Sequence, residues 1–127
     1  MVLDKWRTMM KAHSTEGLWD LLHPDCVFFS PVVHTPQRGR DITFAYLSAA
    51  QQVFNTDFHY VREVVEENHA VLEFECLMDD ISINGVDMIT AQDGQIIEFK
   101  VMVRPLKAVN KVHEKMMAML DKMQKAG

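Results

Sequence analysis

Cysteine is scarce in this chain: Cys26 and Cys76 are the only two among 127 residues. They stand far apart, which excludes a zinc motif and leaves one disulfide as the only covalent link on offer. A reduced, cytoplasmic protein is the expectation. Basic charge is scarce too, with 13 Lys and Arg against 18 Asp and Glu and a formal net charge of −5. Neutralising phosphates needs a basic face, so nucleic acid is excluded as a partner. No apolar run approaches the ~20 residues that span a bilayer, which excludes a membrane partner. The opening Met1-Val2-Leu3-Asp4-Lys5-Trp6 lacks the charged-then-apolar layout of a signal peptide, and none is expected. His13, His23, His34, His59, His69 and His113 show no HxxxH or HxH spacing, so neither a metal nor another cofactor is expected. Repeats, low-complexity tracts and linkers are absent as well. Residues 1–127 therefore read as a single domain with one core, at an ordinary globular composition of 48% hydrophobic and 24% charged residues.

What is present is a change of period partway along the chain. Leu3, Trp6, Met9 and Met10 recur at helical spacing and predict a helix over residues 3–12. Ser14 and Thr15 offer caps for a second helical turn carrying Leu18, Trp19, Leu21 and Leu22, which His23-Pro24-Asp25 stops. Residues 26–33 (CVFFSPVV) are β-branched and aromatic and read as a strand, with Pro31 marking an edge or a bulge. Gly39 precedes a helix over residues 41–54 that presents Ile42, Ala45, Tyr46, Ala49 and Val53 on one side.

From Asp57 onward the period is two. Placing Glu67-Asn68 in a turn between strands 58–66 and 70–78 sets Arg62 opposite Glu73, an attractive cross-strand pair. That register gathers His59, Val61, Val65, Leu72, Phe74, Cys76 and Met78 on one face, with Glu63 the odd member. It turns Phe58, Tyr60, Val64, Val71 and Leu77 outward. Strands 86–91 and 95–104 follow. A strict two-residue Asp93-Gly94 turn sets Asp87 opposite Lys100 and mixes polar and apolar residues on both faces. A three-residue loop, Gln92-Asp93-Gly94, segregates them and is adopted. It places Asp87, Ile89, Ile97, Phe99, Val101 and Val103 together, and leaves Met88, Thr90, Glu98, Lys100, Met102 and Arg104 opposite. Pro105 ends the strand, and Val109, Val112, Met116, Met119, Leu120 and Met123 mark a closing amphipathic helix. Helices followed by four consecutive strands is the order of an α+β domain with its helices on one sheet face. A curved sheet of that kind encloses an apolar hollow against Trp6, Trp19, Tyr46 and the long helix.

Three segments matched in order carry a resemblance: residues 12–31 (AHSTEGLWDLLHPDCVFFSP), Gly39-Arg40 opening a helix, and residues 85–99 (GVDMITAQDGQIIEF). Together they resemble the nuclear-transport-factor-2-like superfamily, which includes ketosteroid isomerases and SnoaL-like polyketide cyclases. The resemblance implies a cone-shaped α+β fold, a curved and mostly antiparallel sheet, and helices on its concave face enclosing a pocket. It also implies a homodimer through the outer sheet surface, expected around Phe58, Tyr60, Val64, Val71, Leu77 and Met102. Matched residue by residue to ketosteroid isomerases, Asp87 falls at the aspartic acid of the oxyanion hole. Ser30 falls at the general-base aspartate and Trp6 at the catalytic tyrosine, so two of three functional positions are changed. A serine is no base at neutral pH, and an indole has no acidic proton. Gly85 stands where limonene epoxide hydrolases carry an arginine. A single-carboxylate acid/base remains.

Asp87 and His34 are accordingly the expected catalytic pair, the first desolvated on an apolar face and the second sharing the inward alternation of Ser30 and Val32. Trp6, Trp19, Ser30, Tyr46, His59, Phe74 and Phe99 are the expected substrate-binding residues. The function expected is a small-molecule pocket protein, an isomerase, cyclase or hydrolase using acid/base chemistry on a hydrophobic cyclic or carbonyl substrate. The alternatives are a non-catalytic binder of a small apolar metabolite and a dimeric interaction module.

Overall fold

The computed structural model describes residues 2–126, so Met1 and Gly127, the ends of the domain read from sequence, lie outside the described residues. Helix α1 (Val2–Ala12) buries Trp6 and Met9, and the single turn α2 (Leu18–Leu21) buries Leu18 and Leu21. Strand β1 (Leu22–Phe29) and the short β2 (Gln37–Arg38) precede helix α3 (Arg40–Val53). Strands β3 (Thr56–Glu66), β4 (His69–Met78), β5 (Ile81–Gln92) and β6 (Gln95–Arg104) follow, and helix α4 (Leu106–Ala126) closes the chain. The six strands form one curved, open sheet in the order β2-β1-β6-β5-β4-β3, antiparallel except for the β1–β6 pair. This is the α+β arrangement that the element order predicts and the cone-shaped fold that the resemblance implies. Helices α3 and α4 pack on each other and on the concave side of β1, β5 and β6. No helix among the described residues is long and apolar enough to cross a membrane.

The first strand departs from expectation at both ends. His23-Pro24-Asp25 lies inside β1 instead of in a stop, because Leu22 and Cys26 are both buried and pull the segment into the sheet. Pro24 is tolerated because the register against β6 slips between Leu22 and Val27, which frees its missing donor. At the other end the strand stops at Phe29, not Val33. The Ser30 hydroxyl accepts the backbone N–H of Val32 (3.0 Å) and Val33 (3.4 Å), and this local turn breaks the alternation.

Two bulges decide which side chains reach the concave face. Arg62 pairs with Glu73 as expected, but Tyr60 pairs with Phe74, leaving Val61 as an extra residue. Toward the hairpin turn the predicted alternation holds. Before Val61 it inverts. Phe58 and Tyr60 turn inward, with Phe58 stacked on Phe74 at 5.0 Å, while His59 turns outward beside Glu75. The second bulge is at Ile97, since Thr90 pairs with Glu98 and Ala91 with Ile96. The turn before it is the two-residue Asp93-Gly94 form, both residues left-handed at φ 54° and 77°, and not the three-residue loop. One extra residue in β6 restores the segregation for which the longer loop was adopted. Asp87 pairs with Val101 and Ile89 with Phe99, all facing the helices, while Ile97 leaves that row and Ile96 is buried instead.

Candidate functional site

The concave face and the helices enclose a cavity of ≈ 60 Å³. Its walls are largely aromatic. Trp6 leans on Phe99 at 4.8 Å, Phe28 stacks on Tyr46 at 5.2 Å, and Phe58 and Phe74 form a second stack. Val33, Met116, Met117 and Leu120 are among the other apolar residues that line it. Four polar side chains join them: Ser30, Gln51, Asp87 and His113.

Asp87 projects from the middle of β5 between Leu72 on β4 and Val101 on β6, and is 6% exposed. Tyr60 donates its hydroxyl to Asp87 Oδ2 at 2.7 Å. Trp6 Nε1 donates in turn to the Tyr60 oxygen at 3.0 Å. An indole N–H can only donate, so the direction of this chain is settled and the Tyr60 proton is committed to Asp87. Oδ1 is left as the carboxyl atom for a proton or a ligand. Burial raises the Asp87 carboxyl from its ordinary 3.8 to about 7, outweighing the Tyr60 hydrogen bond that favours the charged form. Burial, then the charge of Asp87, hold the Tyr60 hydroxyl far above its usual range, so it stays protonated. The same two causes push the Cys76 thiol to about 12. Cys26 and Cys76 are both buried and unbridged.

Of the residues expected at the site, Trp6, Ser30, Tyr46, Phe74, Phe99 and Asp87 line the cavity. Three do not. His34 is exposed in the loop after β1, because the Ser30 turn ends the alternation that was to bring it inward. His59 sits on the convex face with Nε2 3.3 Å from Glu75 Oε1, turned there by the Val61 bulge. Trp19 is 39% exposed, packed edge-on against Phe44 and covered by the Arg40 guanidinium at 5.0 Å, so it shields the base of α3 instead of the cavity. Tyr60, Phe58, Gln51 and His113 were not anticipated. The signal for the first two was the aromatic alternation Phe58-His59-Tyr60, which contradicts the register extended from Arg62. Gly85, at the position of the epoxide hydrolases' arginine, lies under the Phe74 ring. A Cβ there would clash with that ring and stand 2.8 Å from the Met102 carbonyl oxygen. The odd member Glu63 is paired with Arg7 of α1. Among the described residues, no three His, Cys, Asp or Glu side chains converge as metal ligands.

The family model of the SnoaL-like domain matches residues 3–99. A steroid delta-isomerase from Pseudomonas aeruginosa is 34% identical with a TM-score of 0.93, over 98% of this chain and 92% of that one. An uncharacterized protein with a cystatin-like fold from Silicibacter pomeroyi is 30% identical with a TM-score of 0.85, over 92% and 83%. A nuclear-transport-factor-2-like protein of unknown function from Mesorhizobium loti, 23% identical with a TM-score of 0.74 over 82% and 88%, shares the fold. No curated protein matches the sequence.

Proposed function

The chain belongs to the SnoaL-like domain family, and from that premise we propose that it binds a small apolar carbonyl compound and moves a proton on it through Asp87. The observation that carries this reading is one carboxyl, nearly sealed in an aromatic cavity, with Oδ2 held by Tyr60 and a pKa raised by burial to about 7. A group of that pKa is present in both forms at neutral pH, which suits general acid–base work. The ionised Oδ1 removes a proton from the carbon next to the carbonyl. The electron pair moves onto the carbonyl oxygen, and the proton, now on Oδ1, returns to the same or a conjugated carbon. No co-reactant is consumed. That outcome is an isomerisation, or the first step of a cyclisation. The resemblance to an isomerase of known name supports the reading, while Ser30 and Trp6 at two of the ketosteroid isomerase positions argue for a different substrate or geometry. His34, exposed in its loop, has no part in it. The buried free thiols support a cytoplasmic setting.

Hydrogen–deuterium exchange at the carbon flanking the carbonyl of 2-tetralone, followed by NMR in heavy water, tests the proposal. Protein-dependent exchange is expected, and Asp87→Asn should lower it about 100-fold or more while the ketone still binds. Binding with no protein-dependent exchange supports the second reading, a non-catalytic binder, which the overwhelmingly apolar cavity wall favours.

The chain is also proposed to form a homodimer through the convex face of the sheet. Val64, Val71, Met88 and Met102 are exposed there, and Leu77 is half-buried. Phe58 and Tyr60 drop out of the expected interface because the Val61 bulge turns them inward.

A further inference from the structure

Helix α3 and its C-cap residue Phe54 present Leu47, Ala50, Gln51 and Phe54 to the cavity, a stripe at helical spacing with one amide among three apolar side chains. Gln51 is 7% exposed. Its Nε2 donates to the backbone carbonyl of Ser14 at 2.7 Å and to that of Met9 at 3.4 Å. Both partners are carbonyl oxygens, which can only accept, so the atom between them is the amide nitrogen and the side chain cannot flip. Both its protons are spent on the end of α1 and the loop that follows. That structural task accounts for Nε2 and leaves Oε1 unexplained. None of the described residues donates to Oε1, and it is not among the side-chain atoms sealed away from contact, whereas Thr43 Oγ1 and Ser48 Oγ on the same helix are.

We infer that Gln51 is a specificity residue whose Oε1 is a fixed acceptor in the cavity wall, so that the ligand carries a hydroxyl or N–H donor in addition to the carbonyl group that meets Asp87. The inference rests on the pocket reading above and adds a second polar end to the ligand. A fixed, still accessible acceptor on a largely buried side chain discriminates strongly, because a ligand that covers it without a donor strips away its water and leaves it unpaired. The ligand class is therefore a small cyclic hydroxy-ketone or its amino counterpart, with apolar carbon between the two polar groups.

The test pairs 2-tetralone with 6-hydroxy-2-tetralone, and cyclohexanone with 4-hydroxycyclohexanone to vary the span, titrated against the whole chain and against Gln51→Met. In the wild type at least one hydroxylated probe should bind about tenfold more tightly than its parent, and the ratio should fall to about one in the variant. Should Gln51→Met fail to fold for want of its α1 contacts, the wild type still decides. The Gln51 side-chain carbonyl carbon should shift in NMR with the hydroxylated probe and not with the parent. Parents that bind with no gain from the hydroxyl, or a gain that persists in Gln51→Met, overturn the inference and leave the pocket reading standing. Failure of every ketone to bind at millimolar concentration overturns both.

Discussion

A negative charge on Asp87 is costly where it sits, and the cost has a sign that pH reveals. The folded carboxyl titrates at about 7 and the ordinary one at 3.8, so the folded state holds the proton more tightly. Below the lower value both states are protonated and nothing is lost. Between the two, folding takes up a proton, so this group's contribution falls as pH rises; above the upper value the loss is complete. At ~1.4 kcal/mol per pH unit the interval amounts to about 4 kcal/mol. Asp87→Asn keeps the shape and the Tyr60 contact but cannot ionise. Urea unfolding at pH 5 and pH 8 should show wild-type stability falling relative to the variant, with the variant the more stable of the two at pH 8. Parallel behaviour would mean a solvated Asp87. Tyr60→Phe tests the other half of the arrangement. It removes the hydrogen bond that favours the charged form and strands the Trp6 N–H, so the Asp87 pKa should rise further and stability fall by about 1–3 kcal/mol. Carbon NMR of the carboxyl reads the first effect and unfolding the second. An unmoved pKa would refute the role given to Tyr60.

At the scale of elements, the order of helices and strands is legible, except for the two-residue β2, because each of the others is amphipathic with its own period. The β3–β4 turn and the Arg62–Glu73 pair follow from charge and turn chemistry alone. The segregation of polar from apolar residues likewise places Asp87 and Phe99 on one face of the β5–β6 pair. Bulges are not legible in the same way, since one inserted residue inverts every side chain beyond it and leaves composition untouched. That is why His59 was expected inside and Tyr60 outside. At β6 the parity came out right by a wrong route, a longer loop standing in for the Ile97 bulge. The Val61 bulge makes its own prediction. Deleting Val61 should restore strict alternation with Tyr60 still opposite Phe74 and His59 still opposite Glu75, and so keep the hydrogen bond to Asp87. Because Val61 is exposed, its removal should cost about 1 kcal/mol or less. An Asp87 carboxyl that no longer titrates near 7 in this variant would show that the bulge itself, and not the pairing on either side of it, sets the site.

For the whole molecule, the two faces of one sheet present separate surfaces. The residues that line the cavity alternate with those that form the convex surface, so each face can change without the other. On the convex side Val64 pairs with Val71 and Val71 with Met88, while Val86 pairs with Met102. Three of these, Val64, Val71 and Met102, are 58%, 38% and 54% exposed. Charges of both signs flank the strip, with Arg62 against Glu73 at 3.2 Å on one side and Arg104 reaching Asn84 at 2.9 Å on another. In the proposed homodimer a two-fold axis through the strip would lay it on its own copy and bring its charged margins against each other, the self-complementary arrangement a homodimer needs. A stable interface of this kind buries ~1,200–2,000 Å². Val71→Asp places a carboxylate at the centre of that proposed contact and so should yield a monomer by light scattering at tens of micromolar, where the wild type is expected to be a dimer. Because Val71 points away from the helices, the monomer should keep its fold and its Asp87 carboxyl should still titrate at about 7. A wild type that is already monomeric, or a variant that still pairs, would remove the convex face as the interface. A shifted Asp87 pKa in a folded monomer would instead show that the two faces are coupled.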